Sequence, residues 1–175
     1  MLTITNPCSL PKDRGNQCSN AAPKIQWFFD TETVSCLPFR YLGCGGNANQ
    51  FSTRQDCSRR CVPSTDFVYR LDYGWCALKG EPYKEPNGTN RLCPQTGCPD
   101  EYRCIRLAFF GICCPKQTED LFNRNISPQD HDKKAFTKTL DSYQQPLLGK
   151  SCEDEFCPPK TQCVQQEVLA YCRTL

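Results

Sequence analysis

The chain has 175 residues, sixteen of them cysteine, and a formal net charge of only +2. So balanced a charge excludes the basic footprint of a nucleic-acid binder, and no apolar run approaches membrane-spanning length. Such cysteine content is typical of small secreted modules whose cores bury too little apolar surface to fold without cross-links. Metal binding is the rival use of cysteine. Against it, the one histidine, His131, is remote from any cysteine and no C-x-x-C pair occurs. No metal and no cofactor is expected.

The N-terminal stretch Met1 to Cys8 lacks the basic start and apolar run of a signal peptide. The cysteines nevertheless call for an oxidising compartment, so the expectation is an extracellular, secreted protein whose leader is missing from this chain. Cysteines fall into three groups, at 8, 18, 36, 44, 57 and 61, at 76, 93, 98, 104, 113 and 114, and at 152, 157, 163 and 172.

In the first group, Ile25-Gln-Trp-Phe-Phe29 is a β-prone aromatic run, Asp30 to Thr33 reads as a hairpin connection, and Val34 to Tyr41 as the return strand. Ser52 or Thr53 is placed to cap a short helix, with Gln55 or Asp56 three residues on. Cys57 and Cys61, four residues apart, then share one helical face. Six cysteines allow fifteen pairings, and spacing alone leaves them open.

The stretch Phe39-Arg-Tyr-Leu-Gly43-Cys44-Gly-Gly-Asn-Ala-Asn-Gln-Phe51, followed by Cys57 and Cys61 and preceded by Cys8, Cys18, Trp27-Phe-Phe-Asp30 and Cys36, resembles the Kunitz/bovine pancreatic trypsin inhibitor signature. The resemblance implies an α+β module over residues 5–63, with a twisted β-hairpin and a short C-terminal helix. It implies the pairings Cys8–Cys61, Cys18–Cys44 and Cys36–Cys57, and gives Asn49 a backbone-bonding role in the core. It also implies a protease-binding loop of Asn16, Gln17, Cys18, Ser19, Asn20 and Ala21, flanked by Leu42 and Gly43. Such a loop meets the enzyme already extended, so little ordering entropy is lost on association.

Ser19 matches the residue that enters the specificity pocket. It carries neither the charge a trypsin-like pocket rewards nor much apolar area, which suits a small pocket. Several departures bear on the loop. Asn20 follows where the family carries a small residue, the segment from Cys18 to Trp27 is two residues longer than in the shortest members, a further residue lies between Cys8 and Cys18, and Leu42 replaces a common glycine.

The remaining cysteines repeat. Cys93-x4-Cys98-x5-Cys104-x8-Cys113 recurs fifty-nine residues later as Cys152-x4-Cys157-x5-Cys163-x8-Cys172, with Pro99 and Pro158 in register. Cys76 and Cys114 have Ala135 and Arg173 as counterparts, and this joint absence predicts a Cys76–Cys114 bond. Adjacent Cys113 and Cys114 are too close to bond to each other. The 76–114 segment resembles lustrin-type cysteine-rich repeats, and 152–172 looks like a partial copy, which implies extracellular matrix or cuticle partners. The expected organisation is a small disulfide-rich multi-domain chain, with such a module at 73–116, a flexible linker at 117–150 and the partial copy at 151–175. A short helix near 133–140 is the one element expected in the linker. Two sequons, at Asn87 and Asn125, are candidate glycan acceptors.

No nucleophile, phosphate-binding or metalloprotease motif is present, so an enzyme is not expected. The leading expectation is a serine-type endopeptidase inhibitor acting through the loop around Ser19, with a serine protease of small specificity pocket as partner. The alternative is a non-inhibitory extracellular matrix module. Neither nucleic acid nor membrane is an expected partner.

Overall fold

After a single 3-10 turn at Pro7–Ser9, the computed structural model runs through β1 (Asn16–Gln17) into a long hairpin of β2 (Lys24–Asp30) and β3 (Ser35–Tyr41). It describes residues 6–62, 76–106, 110–128, 134–140 and 142–175. The expected boundaries at 5, 63 and 73, and His131, lie outside the described residues. The chain divides into two units, residues 1–63 with 125–175, and residues 64–124.

The hairpin's apolar residues run consecutively, Trp27 to Phe29 and Cys36 to Phe39, so successive ones reach different clusters, while its turn is closed locally. Register runs from Lys24 opposite Tyr41 to Asp30 opposite Ser35. The Asp30 carboxylate accepts from the Thr33 N–H at 2.9 Å and its hydroxyl at 2.7 Å, which pins the reversal. One set of residues, Trp27, Phe29 and Cys36, joins Cys8 and Cys57 in a buried cluster, while Phe28, Leu37, Phe39 and Tyr41 form another. Trp27 also exchanges two backbone hydrogen bonds with Phe51, each 2.8 Å. Short β4 (Gly43–Cys44) pairs back onto β1. Helix α1 (Arg54–Cys61) is capped by the Thr53 hydroxyl, which accepts from the Asp56 N–H at 3.0 Å. Cys8–Cys61 and Cys36–Cys57 tie α1 to the N-terminal turn and the hairpin. Buried Asn49 completes the frame, accepting from the Phe29 N–H at 2.8 Å and donating to the carbonyls of Leu10 and Phe29.

In the second unit, β5 (Leu92–Cys93), β6 (Tyr102–Arg106) and β7 (Gly111–Pro115) form a sheet in the order β5-β7-β6. Its disulfides are Cys76–Cys114, Cys93–Cys104 and Cys98–Cys113. Helix α2 (Lys116–Ile126) follows, and its buried Glu119 accepts from the Ala77 N–H at 2.6 Å. That bond neutralises an otherwise buried donor next to Cys76.

The C-terminal segment repeats this plan within the first unit. After the hairpin β8 (Thr137–Leu140) and β9 (Tyr143–Pro146), strands β10 (Leu148–Gly149), β11 (Thr161–Gln165) and β12 (Ala170–Thr174) make a sheet in the order β10-β12-β11. Cys152–Cys163 and Cys157–Cys172 reproduce the pairing of the first copy. Cys163 faces Cys172 across β11 and β12 as Cys104 faces Cys113 across β6 and β7. Where the first copy has the Cys76–Cys114 bond, Ala135 and Arg173 form an antiparallel bridge. Flanking bonds from the Phe136 N–H to Cys172 and from the Thr174 N–H to Lys134 make it a non-hydrogen-bonded pair.

The expectation of a flexible linker over 117–150 is therefore corrected. Residues 116–126 are helical, and residues 134–150 supply the start of the second copy. The expected short helix near 133–140 is a strand, β8, over its last four residues. Over residues 134–150 both departures have one cause. Pairing with distant residues satisfies this backbone, as when the Leu147 N–H donates to Phe136 and the Cys172 N–H to Leu147, and such partners leave no local periodicity.

Non-hydrogen-bonded pairs bring Cα atoms to roughly 4.5 Å, inside the range of a disulfide. Ala135→Cys with Arg173→Cys is expected to form a ninth bond, read as the loss of two hydrogens by intact mass. It should raise unfolding stability by about 2–4 kcal/mol, and a double variant that stays reduced under oxidising refolding contradicts the equivalence of the two copies.

Candidate functional site

The Cys18–Cys44 disulfide joins two short extended segments at one end of the hairpin module. Asn16 lies opposite Cys44 and Gln17 opposite Gly43, and the Leu42 N–H donates to the Arg14 carbonyl at 2.9 Å. Gly43 has φ +120, and a Cβ there would stand 2.6 Å from the Ala21 carbonyl oxygen, so the segments approach this closely only with glycine. The Tyr41 hydroxyl donates to the Gly45 carbonyl at 2.9 Å, and the Asn47 amide to that of Pro11 at 2.8 Å. Asn16, Gln17, Cys18, Leu42 and Gly43 are thus gathered on one braced rim.

Ser19 and Asn20 stand at its tip, both exposed. Here the expected extended course from Asn16 to Ala21 is corrected. Only Asn16 and Gln17 are extended, the chain then reverses at Ser19–Asn20, and Cys18 bridges Ala21 antiparallel. Asn20 Oδ1 lies 3.6 Å from Cys44 Sγ, folded back over the disulfide.

Sequence reasoning missed what stands beside the rim. Glu155, from the C-terminal copy, accepts from Arg14 Nη2 at 2.6 Å and pairs with Arg40. The two arginines hold its carboxyl below the ordinary value of 4.5, chiefly by hydrogen bonding. Arg14 also donates to the Glu153 carbonyl. Lys12 pairs with fully buried Asp154, and Lys150 reaches Asp30 at 3.3 Å and also Glu32. No sequence pattern links such residues, because they lie more than a hundred positions apart.

Neither sequon is like the other. Asn87 is exposed in a turn where its Oδ1 accepts from the Thr89 N–H at 3.0 Å and the Thr89 hydroxyl at 2.7 Å. Asn125 is fully buried, its Oδ1 accepting from the Val168 and Leu169 N–H groups at 3.0 Å each and its amide donating to Glu167. A glycan has no room there, so the expectation for Asn125 is corrected. Every cysteine in the close groupings Cys93, Cys98 and Cys113 and Cys76, Cys114 and Glu119 is held in a disulfide, which lacks the thiolate a metal needs.

Comparison with known proteins places residues 7–62 in the Kunitz/Bovine pancreatic trypsin inhibitor domain. The chain is 36% identical over 172 residues to the major allergen Ani s 1 of Anisakis simplex, covering 94% of this chain and 85% of that protein. It is 30% identical over 170 residues to a BPTI/Kunitz inhibitor domain-containing protein of Caenorhabditis elegans, covering 94% and 88%. The carboxypeptidase inhibitor SmCI of Sabellastarte magnifica is 52% identical over 126 residues, 61% of this chain and 68% of its own.

The folded Glu155 carboxyl ionises below its unfolded value, so the stability it contributes is fully present above about pH 4.5 and is lost as pH falls through the lowered value. Glu155→Gln should flatten that acid limb of the stability–pH curve in denaturant titrations, and an unchanged limb contradicts the assignment. Asn125→Ala strands the buried Leu169 N–H and the partly buried Val168 N–H and should cost about 1–3 kcal/mol. Glycopeptide mass spectrometry of protein from a glycosylating host should find no glycan on Asn125.

Proposed function

The chain belongs to the Kunitz/bovine pancreatic trypsin inhibitor domain family, and we propose that it is an inhibitor of a serine endopeptidase with a small specificity pocket. The observation that carries this reading is the exposed tip at Ser19, held over a rim braced by Cys18–Cys44 and the β1–β4 pair. Ser19 is the residue presented to the pocket. Asn16, Gln17, Cys18, Asn20 and Ala21 line its two sides, and Leu42 and Gly43 form a second contact edge. Eight disulfides among the described residues suit an oxidising, extracellular setting. No helix of the described residues is long and apolar enough to cross a membrane.

A second reading is favoured by the turn itself. A protease cleft pairs with an extended segment, and the Cys18–Ala21 bridge must open before Ser19 and Asn20 extend. That requirement subtracts from affinity. If the bridge holds, the protein is a non-inhibitory extracellular matrix or cuticle module, with Asn87 glycosylated on its surface. The full oxidised chain should slow an elastase-like enzyme at micromolar concentration, more than trypsin-like or chymotrypsin-like ones, and Ser19→Trp should weaken that effect by about tenfold or more. Silence against the whole panel, with a metallocarboxypeptidase included, selects the second reading.

A further inference from the structure

Docking of the C-terminal copy onto the hairpin module opens a groove of about 520 Å³, well within the size range of small-ligand sites. Both walls belong to the first unit. Ile25, Trp27 and Pro38 form one wall, and Phe136, Leu147 and Phe156 the other. The floor is preformed, because Trp27, Leu147 and Phe156 are buried in one cluster. Gly149 keeps it so, since a Cβ there would stand 2.4 Å from the Phe156 ring.

The charges at the mouth are unequal. Arg40 and Glu155 also line the groove, but they satisfy each other, with Arg14 as third member. Lys24 and Lys138 line it too, both are exposed, and neither has an acidic partner among the described residues. An apolar groove is therefore bordered by two ammonium groups without an acidic partner among the described residues. We infer that this groove binds a single-chain amphiphilic carboxylate, a free fatty acid of medium length, with its chain along Ile25, Trp27, Phe136 and Phe156 and its head group at Lys24 and Lys138. Apolar area supplies the affinity, and the lysines supply the preference for an anion, each exposed pair contributing modestly. The site is separate from the Ser19 tip and does not depend on inhibition.

Sodium decanoate below its micellar concentration is the probe, titrated into the full oxidised chain and followed by NMR. We expect saturable one-to-one shifts at Ile25, the Trp27 indole, Phe136 and Lys138. Decyltrimethylammonium, with the same chain and the opposite charge, should bind about tenfold more weakly. Lys24→Glu with Lys138→Glu, both exposed substitutions, should abolish that preference while leaving the disulfide-bonded fold and its amide spectrum intact. The inference is overturned by no saturable shift at about 1 mM decanoate, by equal binding of the two amphiphiles, or by shifts that map elsewhere. An unchanged preference in the double variant overturns the assignment to the lysines.

Discussion

Covalent cross-linking is the constraint from which the rest of this structure follows. Among the described residues no cluster holds more than nine buried residues, and four of those nine are cysteine. Burial of that extent does not offset the entropy of ordering so many turns. Each disulfide shifts the balance by restricting the unfolded chain. With the cost met there, the visible fold can be economical, with strands of two to seven residues and few helices.

The same economy explains how one cysteine frame serves two surroundings. Both copies keep the two bonds that tie each strand of the β-hairpin to the segment before it, and both keep the third strand beside the same hairpin strand. The third bond is present in one and replaced in the other by a backbone bridge at the equivalent residues. The copy lacking it gains apolar and ionic contacts instead. Leu169 joins Phe28, Leu37, Phe39 and Tyr41, Asn125 gathers the backbone of Val168 and Leu169, and buried Asp154 meets Lys12. Removing either partner of a buried pair of that kind strands the other. The docked copy also brings Glu155 to the base of the loop rim, so the rim's charge is set by residues remote in the chain.

Much of the hairpin module was legible because its determinants are local. The aromatic run, the Asp30–Thr33 turn and the Thr53 cap act over a few residues, and each leaves its mark in the order of side chains. The repeat was legible as spacing, since a disulfide frame tolerates substitution everywhere except at the cysteines and a few turn residues. The segment 134–150 was not, because Phe136 and Leu147 are held by Cys172 and nothing nearby in sequence announces that partner. The loop tip failed for a related reason. Resemblance supplied an extended course, whereas the pairing of Cys18 with Ala21 turns the chain back at Ser19–Asn20.

Taken alone, the order of residues determined the oxidised chemistry, the hairpin and helix of the first module, the repeat and its missing cysteine pair. These depend on side chains and spacings that act within a turn or through covalent geometry. Only the tertiary structure decided that the second copy begins near residue 134, that Asn125 is interior, and that Glu155 stands between Arg14 and Arg40. Those outcomes rest on pairings between residues from roughly forty to more than a hundred positions apart, where the interaction energy depends on a separation that no local pattern encodes.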